Sequence, residues 1–400
     1  MECPEGCEPW RLFGDCCCLK SHGATLSGWV SGGIMGNSDS PSDHFNGPVS
    51  FADRDDGQLN QLYMIAERAI DTGGCGWDLG GRVDLLYGSD YRFTLARGLD
   101  ANDNFTAKWD SSRFYGLAMP QAYVEVGYND LSVKIGHFYT IIGYEVVPAP
   151  GNFFYTHAYT MQYGEPFTHT GALATYKAND QLSLMGGFTF GWDNFENVYD
   201  RVSFLGGATF TSSDGNSSLA YALTVGDEEE TFGTTSPVDT RYMQSVVYSR
   251  TLTDRLSYVF QTDYGNQADG ADGGTADAAW YGVNQYLFYK LNCCWSAGLR
   301  AEWFRDDDGV RVAAAGDYAR TGLYPNSNPT SIGGFEGNFY EVTAGLNYKP
   351  SDNPNFIFRP EVRYDWYSGN PSSVNGTTLP YDGGSATDQL TYGFDMIYLY

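Results

Sequence analysis

Residues 355–366 read NFIFRPEVRYDW, and their charges fall on every second position. Arg359, Glu361, Arg363 and Asp365 share one face of an extended strand, while Phe356, Phe358, Val362, Tyr364 and Trp366 share the other. The same split recurs in WSAGLRAEWF, 295–304, where Trp295, Ala297, Leu299, Ala301 and Trp303 oppose Arg300 and Glu302. It recurs again in WDLGGRVDLLY, 77–87, where Leu79, Val83 and Leu85 oppose Asp78, Arg82 and Asp84. Each strand has one face for oil and one for ions, and strand length says which face meets what.

Sixteen alternating runs lie near 24–35, 57–70, 76–87, 118–128, 131–140, 167–177, 181–191, 200–210, 216–226, 240–250, 254–264, 277–290, 293–304, 338–348, 355–366 and 388–400. A soluble strand averages about 5–6 residues, whereas a tilted membrane-crossing strand needs about 9–11. Most of these runs have the longer length. The links alternate as well. GNSDSPSDHFNGPVSFADRDD (36–56) follows the first run, but little more than DTGGC (71–75) follows the second, and long and short links then take turns to the end. Barrels that cross a membrane put short turns at one rim and long loops at the other. An Arg facing lipid at mid-membrane costs about 2–4 kcal/mol, and several would exceed the about 5–15 kcal/mol that holds a domain together. The charged rows must therefore face the inside. The fold expected is all-β: a transmembrane antiparallel up-and-down β-barrel of about 16 strands, wide enough to enclose water.

Composition agrees. Charged residues make up 18% and aromatics 16%, with 31 Tyr and 49 Gly, which suits strands whose outer face sits between oil and water. The net charge of −26 argues against a nucleic-acid partner. No apolar run is long enough for a membrane-crossing helix, and residues 1–20 lack the apolar core of a signal peptide.

The chain ends in LTYGFDMIYLY, 390–400, alternating to the last residue. A final strand that pairs with the first closes the barrel and leaves no open edge in lipid. Gly393, Phe394, Tyr398 and Tyr400 also resemble the C-terminal assembly signal of bacterial outer-membrane proteins, which implies the barrel assembly machinery as a partner.

Four stretches carry a wider resemblance: NQLYMIAER (60–68), WDLGGRVDLLYGSDY (77–91), VKIGHFYTIIGYEVVPAPGNFFYTHAYTMQYGEPFTHTGALATY (133–176) and NQYLFYKLNCCWSAGLRAEWFRDDDG (284–309). They resemble the OmpL-like β-barrel porin family over about residues 22–400. The resemblance implies an outer-membrane porin passing small polar solutes or ions through a water-filled channel. A plugged structural barrel, or less readily a barrel hydrolase, is the alternative. No G-x-S-x-G, P-loop or H-E-x-x-H motif is present, so no enzyme is expected.

The inferred lumen face carries Arg82, Asp84, Glu125, Lys134, Arg300, Glu302, Glu341, Arg359, Glu361, Arg363 and Asp395, with Arg300, Arg359 and Arg363 placed at the narrowest part. Opposite signs are interspersed, so weak selectivity is expected. The third long link, 141–166, differs from the others. Glu145 and Glu165 are its only carboxylates, and Phe153, Phe154, Tyr155, His157 and Tyr159 lie among many apolar neighbours. At about 1.5–3 kcal/mol per large side chain, such a surface should be buried, and folding into the lumen would bury it.

Eight cysteines, Cys3, Cys7, Cys16, Cys17, Cys18, Cys75, Cys293 and Cys294, fall in a head (1–22) and in two short turns. All belong at one rim, the periplasmic one, where disulfides persist. The barrel proper is expected over 23–400, with outer-membrane lipid around it and a homo-oligomer, a trimer foremost. DRDD (53–56) and RDDDG (305–309) are read as solvated acidic loops, with Ca²⁺ as a lesser possibility. The spacing of His137, His157 and His169 matches no zinc motif, and polar loop or girdle positions are expected for them.

Overall fold

Strands form where the alternation is clean. A computed structural model describes residues 10–12, 14, 17–42, 44–49, 51–102, 106–110, 114–197, 200–229, 238–271, 274–312, 334–370 and 379–400. Among them a short helix, Cys17–Ser21, precedes sixteen strands. The first eight are β1 (Thr25–Asn37), β2 (Gly57–Arg68), β3 (Trp77–Gly88), β4 (Gly116–Tyr128), β5 (Leu131–Tyr139), β6 (Thr168–Lys177), β7 (Leu182–Thr189) and β8 (Ser203–Thr211). The second eight are β9 (Ser217–Glu229), β10 (Val238–Thr251), β11 (Leu256–Ala271), β12 (Ala276–Lys290), β13 (Trp295–Asp306), β14 (Glu336–Tyr348), β15 (Phe356–Asn370) and β16 (Asp388–Leu399). Each pairs antiparallel with its neighbour in sequence, and β1 pairs with β16, so the sheet is a closed barrel. The sixteen-strand antiparallel barrel read from the alternation is the fold observed.

Closure uses the last residue. Tyr400 exchanges backbone hydrogen bonds of 2.9 Å with Gly28, and its hydroxyl donates to the Tyr63 carbonyl on β2 at 2.9 Å. A Cβ on Gly28 would lie 2.8 Å from the Tyr400 ring, so glycine is what lets that ring cross the face of β1.

The surface is inverted relative to a soluble protein. Leu79, Leu299, Val362 and Tyr392 are exposed, while Arg300, Glu341, Arg363, Asp365 and Asp395 on alternate positions are fully buried. Two aromatic rows bound the exposed apolar band. Trp77 packs on Tyr128 (rings 4.5 Å apart) and Trp295 on Tyr348 (4.6 Å) at the short-turn rim. Tyr340 stacks on Trp366 (5.1 Å), and Tyr281 meets Trp303 (5.7 Å), nearer the long loops. Leu299, Leu287, Val342, Leu346 and Val362 lie between the rows, the arrangement of a bilayer-facing wall. Val362→Arg, mid-band and 49% exposed, should therefore cost about 2–4 kcal/mol in urea unfolding from lipid vesicles. A cost under about 0.5 kcal/mol, the size of an ordinary surface change, would take Val362 off the lipid face.

Candidate functional site

The link between β5 and β6 runs through the barrel. From Phe154 to Thr170 every residue is buried. Its sequence explains how the chain can do this. Pro148 and Pro150 have no N–H to satisfy, and Ala149–Gly151 forms a 3-10 turn. Asn152 closes that turn, accepting from the Val146 N–H at 2.9 Å and donating to its carbonyl at 2.6 Å. Thr160–Gly164 forms a single π turn. Phe153 lies toward the short-turn rim, where its carbonyl accepts from Asn347 near the end of β14. Tyr163 lies toward the long loops, where its hydroxyl donates to the Pro48 carbonyl at 2.7 Å.

Backbone groups taken out of water need partners, and the wall supplies them by sign. Carboxylates accept from the segment's N–H groups. Glu361 takes Tyr155 (2.7 Å) and Thr156 (3.1 Å), and Glu302 takes Tyr159 (2.5 Å) and Thr160 (2.6 Å). Guanidiniums donate to its carbonyls: Arg359 to Ala149 and Asn152 (2.9 Å each), Arg300 to Thr156 (2.7 Å) and Arg363 to His157 (2.5 Å).

Each arginine is neutralised in place. Arg300 also contacts Glu341 at 2.5 Å and Glu145 at 2.8 Å, Arg359 contacts Asp395 at 2.5 Å, and Arg363 contacts Asp365 at 2.7 Å. Burial pushes the Glu145 carboxyl up, but Arg300, His157 and the Ala158 N–H outweigh it and hold it well below the usual range. Burial keeps the facing His157 below its ordinary value despite Glu145. The pair is thus a carboxylate and a neutral imidazole, 3.0 Å apart.

The placement of Arg300, Arg359 and Arg363 corrects the expectation that they face water at a constriction. All three are buried, because the segment's carbonyls and the wall carboxylates occupy their donors. Glu302, Glu341, Glu361, Asp84 and Asp395 are buried as well. Among the eleven lumen charges, Arg82, Glu125 and Lys134 keep partial exposure. Arg82 bonds Asp84 at 2.7 Å, and Asp84 also accepts from Tyr63 and Gln121. Lys134 lies 4.5 Å from the Tyr123 ring and opposite Glu125 in register.

Other expectations are corrected too. Asp53 and Asp306 are buried, not solvated: Asp53 pairs with Arg54 and Arg92, and Asp306 accepts three N–H groups from Val310, Arg311 and Val312. His137 and His169 lie on β5 and β6 rather than in loops or a girdle, while His157 does sit in the link between them, and all three are buried. His137 bonds Thr170 at 2.8 Å, and His169 bonds Thr140 at 3.1 Å. Cys18, Cys75 and Cys294 are free thiols, contrary to the pairing expected for them. The turn that carries Cys75 is held by Asn129, whose Oδ1 accepts from the Gly76 N–H at 2.8 Å and whose carbonyl accepts from the Thr72 hydroxyl at 2.7 Å. Cys3, Cys7 and Cys16, and the side chain of Cys17, lie outside the described residues.

Neutral residues that the charge pattern did not single out also hold the segment. Gln61 donates to the Val147 carbonyl (2.7 Å) and accepts from the Ala149 N–H (3.0 Å), and Gln261 accepts from the Tyr144 N–H (3.2 Å). Gln261 was within reach of the sequence, two positions before Asp263 on the face opposite Phe260 and Tyr264.

With this geometry in view, residues 23–400 match the model of the family described as putative beta-barrel porin-2, OmpL-like. The chain belongs to that family. No curated protein matches it. Among solved structures, this porin is similar to the outer membrane channel DcaP of Acinetobacter baumannii (14% identity, 94% of this chain and 97% of that one, TM-score 0.58). It is also similar to the anion-selective porin from Comamonas acidovorans (10%, 94% and 99%, 0.59) and to the trimer form of Vibrio cholerae OmpT (11%, 94% and 99%, 0.54). At such identities the likeness is one of fold.

Proposed function

We propose that the barrel conducts small polar solutes or ions passively across a bacterial outer membrane, past an interior segment that narrows the lumen. The observation that carries this reading is a closed sixteen-strand wall, apolar outside and charged inside, in a chain of a porin family. The solute path lies along the wall that the segment leaves partly open. There Ser183 and Thr209 face each other in register across β7 and β8, and Ser249 and Ser257 lie on β10 and β11, all half-buried. Arg82, Glu125 and Lys134 border the path with both signs, which favours weak selectivity. Reconstitution in a planar bilayer tests it: stepwise conductance is expected, and a silent inserted barrel would refute it. Silence would favour the second reading, a plugged structural barrel, which rests on the unbroken burial of 154–170. Among the described residues no histidine inside the barrel bonds a serine, so the hydrolase reading gains no support.

The finer placement belongs to the same proposal. The short-turn rim is periplasmic, and the head is tied to it: Trp10 exchanges hydrogen bonds of 2.8 and 2.6 Å with Asn355, just before β15. A covalent tie through Cys293 adds to this, supported by the engaged state of that sulfur beside free Cys294. A trimer is favoured by analogy with the trimer form of OmpT. Native, non-reducing mass analysis reads both. Monomers only, or Cys293 recovered as a free thiol, would remove the corresponding element.

A further inference from the structure

We propose that a cavity at the foot of the interior segment is a binding subsite for a small organic monocation, an amine on a compact apolar body. The proposal deepens the porin reading by naming a solute class. The cavity measures about 220 Å³ between the two ends of the segment, and its walls are Ile141, Ile142, Val147, Met161, Pro166 and Phe167. Val146, which also lines it, is 41% exposed, so the cavity reaches water. An apolar cavity of about 150 Å³ takes a benzene-sized guest, so this one holds a single ring with a short side chain.

Two carboxylates border the cavity, and they differ. Glu145 has its full set of partners in Arg300, His157, Tyr286 and the Ala158 N–H. Among the described residues no cation pairs with Glu165. Its neighbours are Asp263 on β11 and Gln261, whose Nε2 donates to Glu165 at 2.5 Å and to both oxygens of Asp263 at 3.1 Å. Both acids are buried, Ser245 stands opposite Asp263 in register, and among the described residues neither acid enters an ion pair. Four other buried carboxylates of the wall are better served: Asp395 and Glu341 have an arginine, and Glu361 and Glu302 have two backbone donors each. Burial, then Asp263 alongside, holds the Glu165 carboxyl well above the usual range, because a negative charge there would have no counter-charge.

An ammonium group supplies that counter-charge. The apolar walls suit an organic body and cannot replace the hydration shell of an inorganic ion, while the acid pair disfavours anions. The net charge of −26 concentrates cations near the protein.

Calorimetric titration of the full-length protein in detergent micelles tests the subsite, with benzylammonium, benzyl alcohol and benzoate as probes. Benzylammonium should bind most tightly and benzoate least. Glu165→Gln, which keeps the shape and the contact with Gln261, should weaken benzylammonium about tenfold or more and leave benzyl alcohol within about twofold. Asp263→Asn should weaken benzylammonium in the same direction, which covers the case of one variant failing to fold. Benzoate binding as tightly as benzylammonium, no saturable binding, or equal affinity in both variants would overturn the proposal. The readout does not depend on current: a silent barrel that binds benzylammonium refutes the porin reading alone, and a conducting barrel that ignores it refutes the subsite alone.

Discussion

Arg300→Met is expected to destabilise the barrel by about 3–5 kcal/mol, the usual cost of removing one partner from a buried ion pair. Arg300 is fully buried on β13 and donates to Glu341, Glu145, the Thr156 carbonyl and the hydroxyls of Thr156 and Thr343. Methionine fills much the same volume but leaves two carboxylates facing each other in a dry site. The loss should therefore come from charge, not from a cavity, and a multiple variant separates the two. Adding Glu145→Gln and Glu341→Gln to Arg300→Met removes the repulsion and should restore most of the stability, since neutral replacement of a buried ionic cluster is often tolerated. Urea unfolding from lipid vesicles measures both. A single-variant loss below about 1 kcal/mol, no more than a typical point mutation, would mean that water reaches the site. A multiple variant no better than the single one would trace the loss to packing.

Removing residues 145–162 should raise single-channel conductance at least about twofold, because the pore cross-section sets the flow of hydrated solutes. The deletion takes away the stretch whose N–H groups sit on Glu361 and Glu302 and whose carbonyls hold Arg300, Arg359 and Arg363. Those wall charges would then be hydrated by the water that fills the lumen, so the wall itself should survive. The rival reading of 141–166 is an external lid or a contact between copies. It predicts unchanged conductance with loss of oligomers, and the burial of 154–170 inside one barrel already weighs against it. Unchanged conductance in the shortened barrel would show that the solute path never passed the segment.

Strand count, strand faces and the sense of the wall were legible in the sequence because lipid enforces them residue by residue. Val362, Leu299 and Leu79 are out and Arg363, Arg300 and Asp84 in, as the alternation requires. The inner contacts were less legible, for two reasons. Charge marks a lumen residue but not its partner, so Arg300 and Glu361 read as pore lining when they hold a backbone. Register also slips at bulges, between Ser31 and Gly32 against β2 and between Asp84 and Leu86 against β4. A slip of one position brings Asn60 and Gln61 both to the buried side, and simple alternation misses Gln61, which grips Val147 and Ala149.

The two aromatic rows also set a thickness. Trp295 and Trp303 stand eight residues apart on β13 (303 − 295), as do Tyr340 and Tyr348 on β14 (348 − 340). At about 3.3 Å per residue and a strand tilt of about 40°, the oily belt is about 20 Å tall. A common bilayer has a hydrocarbon core of about 30 Å, so the barrel would have to thin such a membrane around itself, at a fraction of a kcal/mol per Å of mismatch. Short-chain phosphatidylcholines should therefore accept it faster and hold it more firmly than long-chain ones, and among membranes it is matched to one of less than average depth.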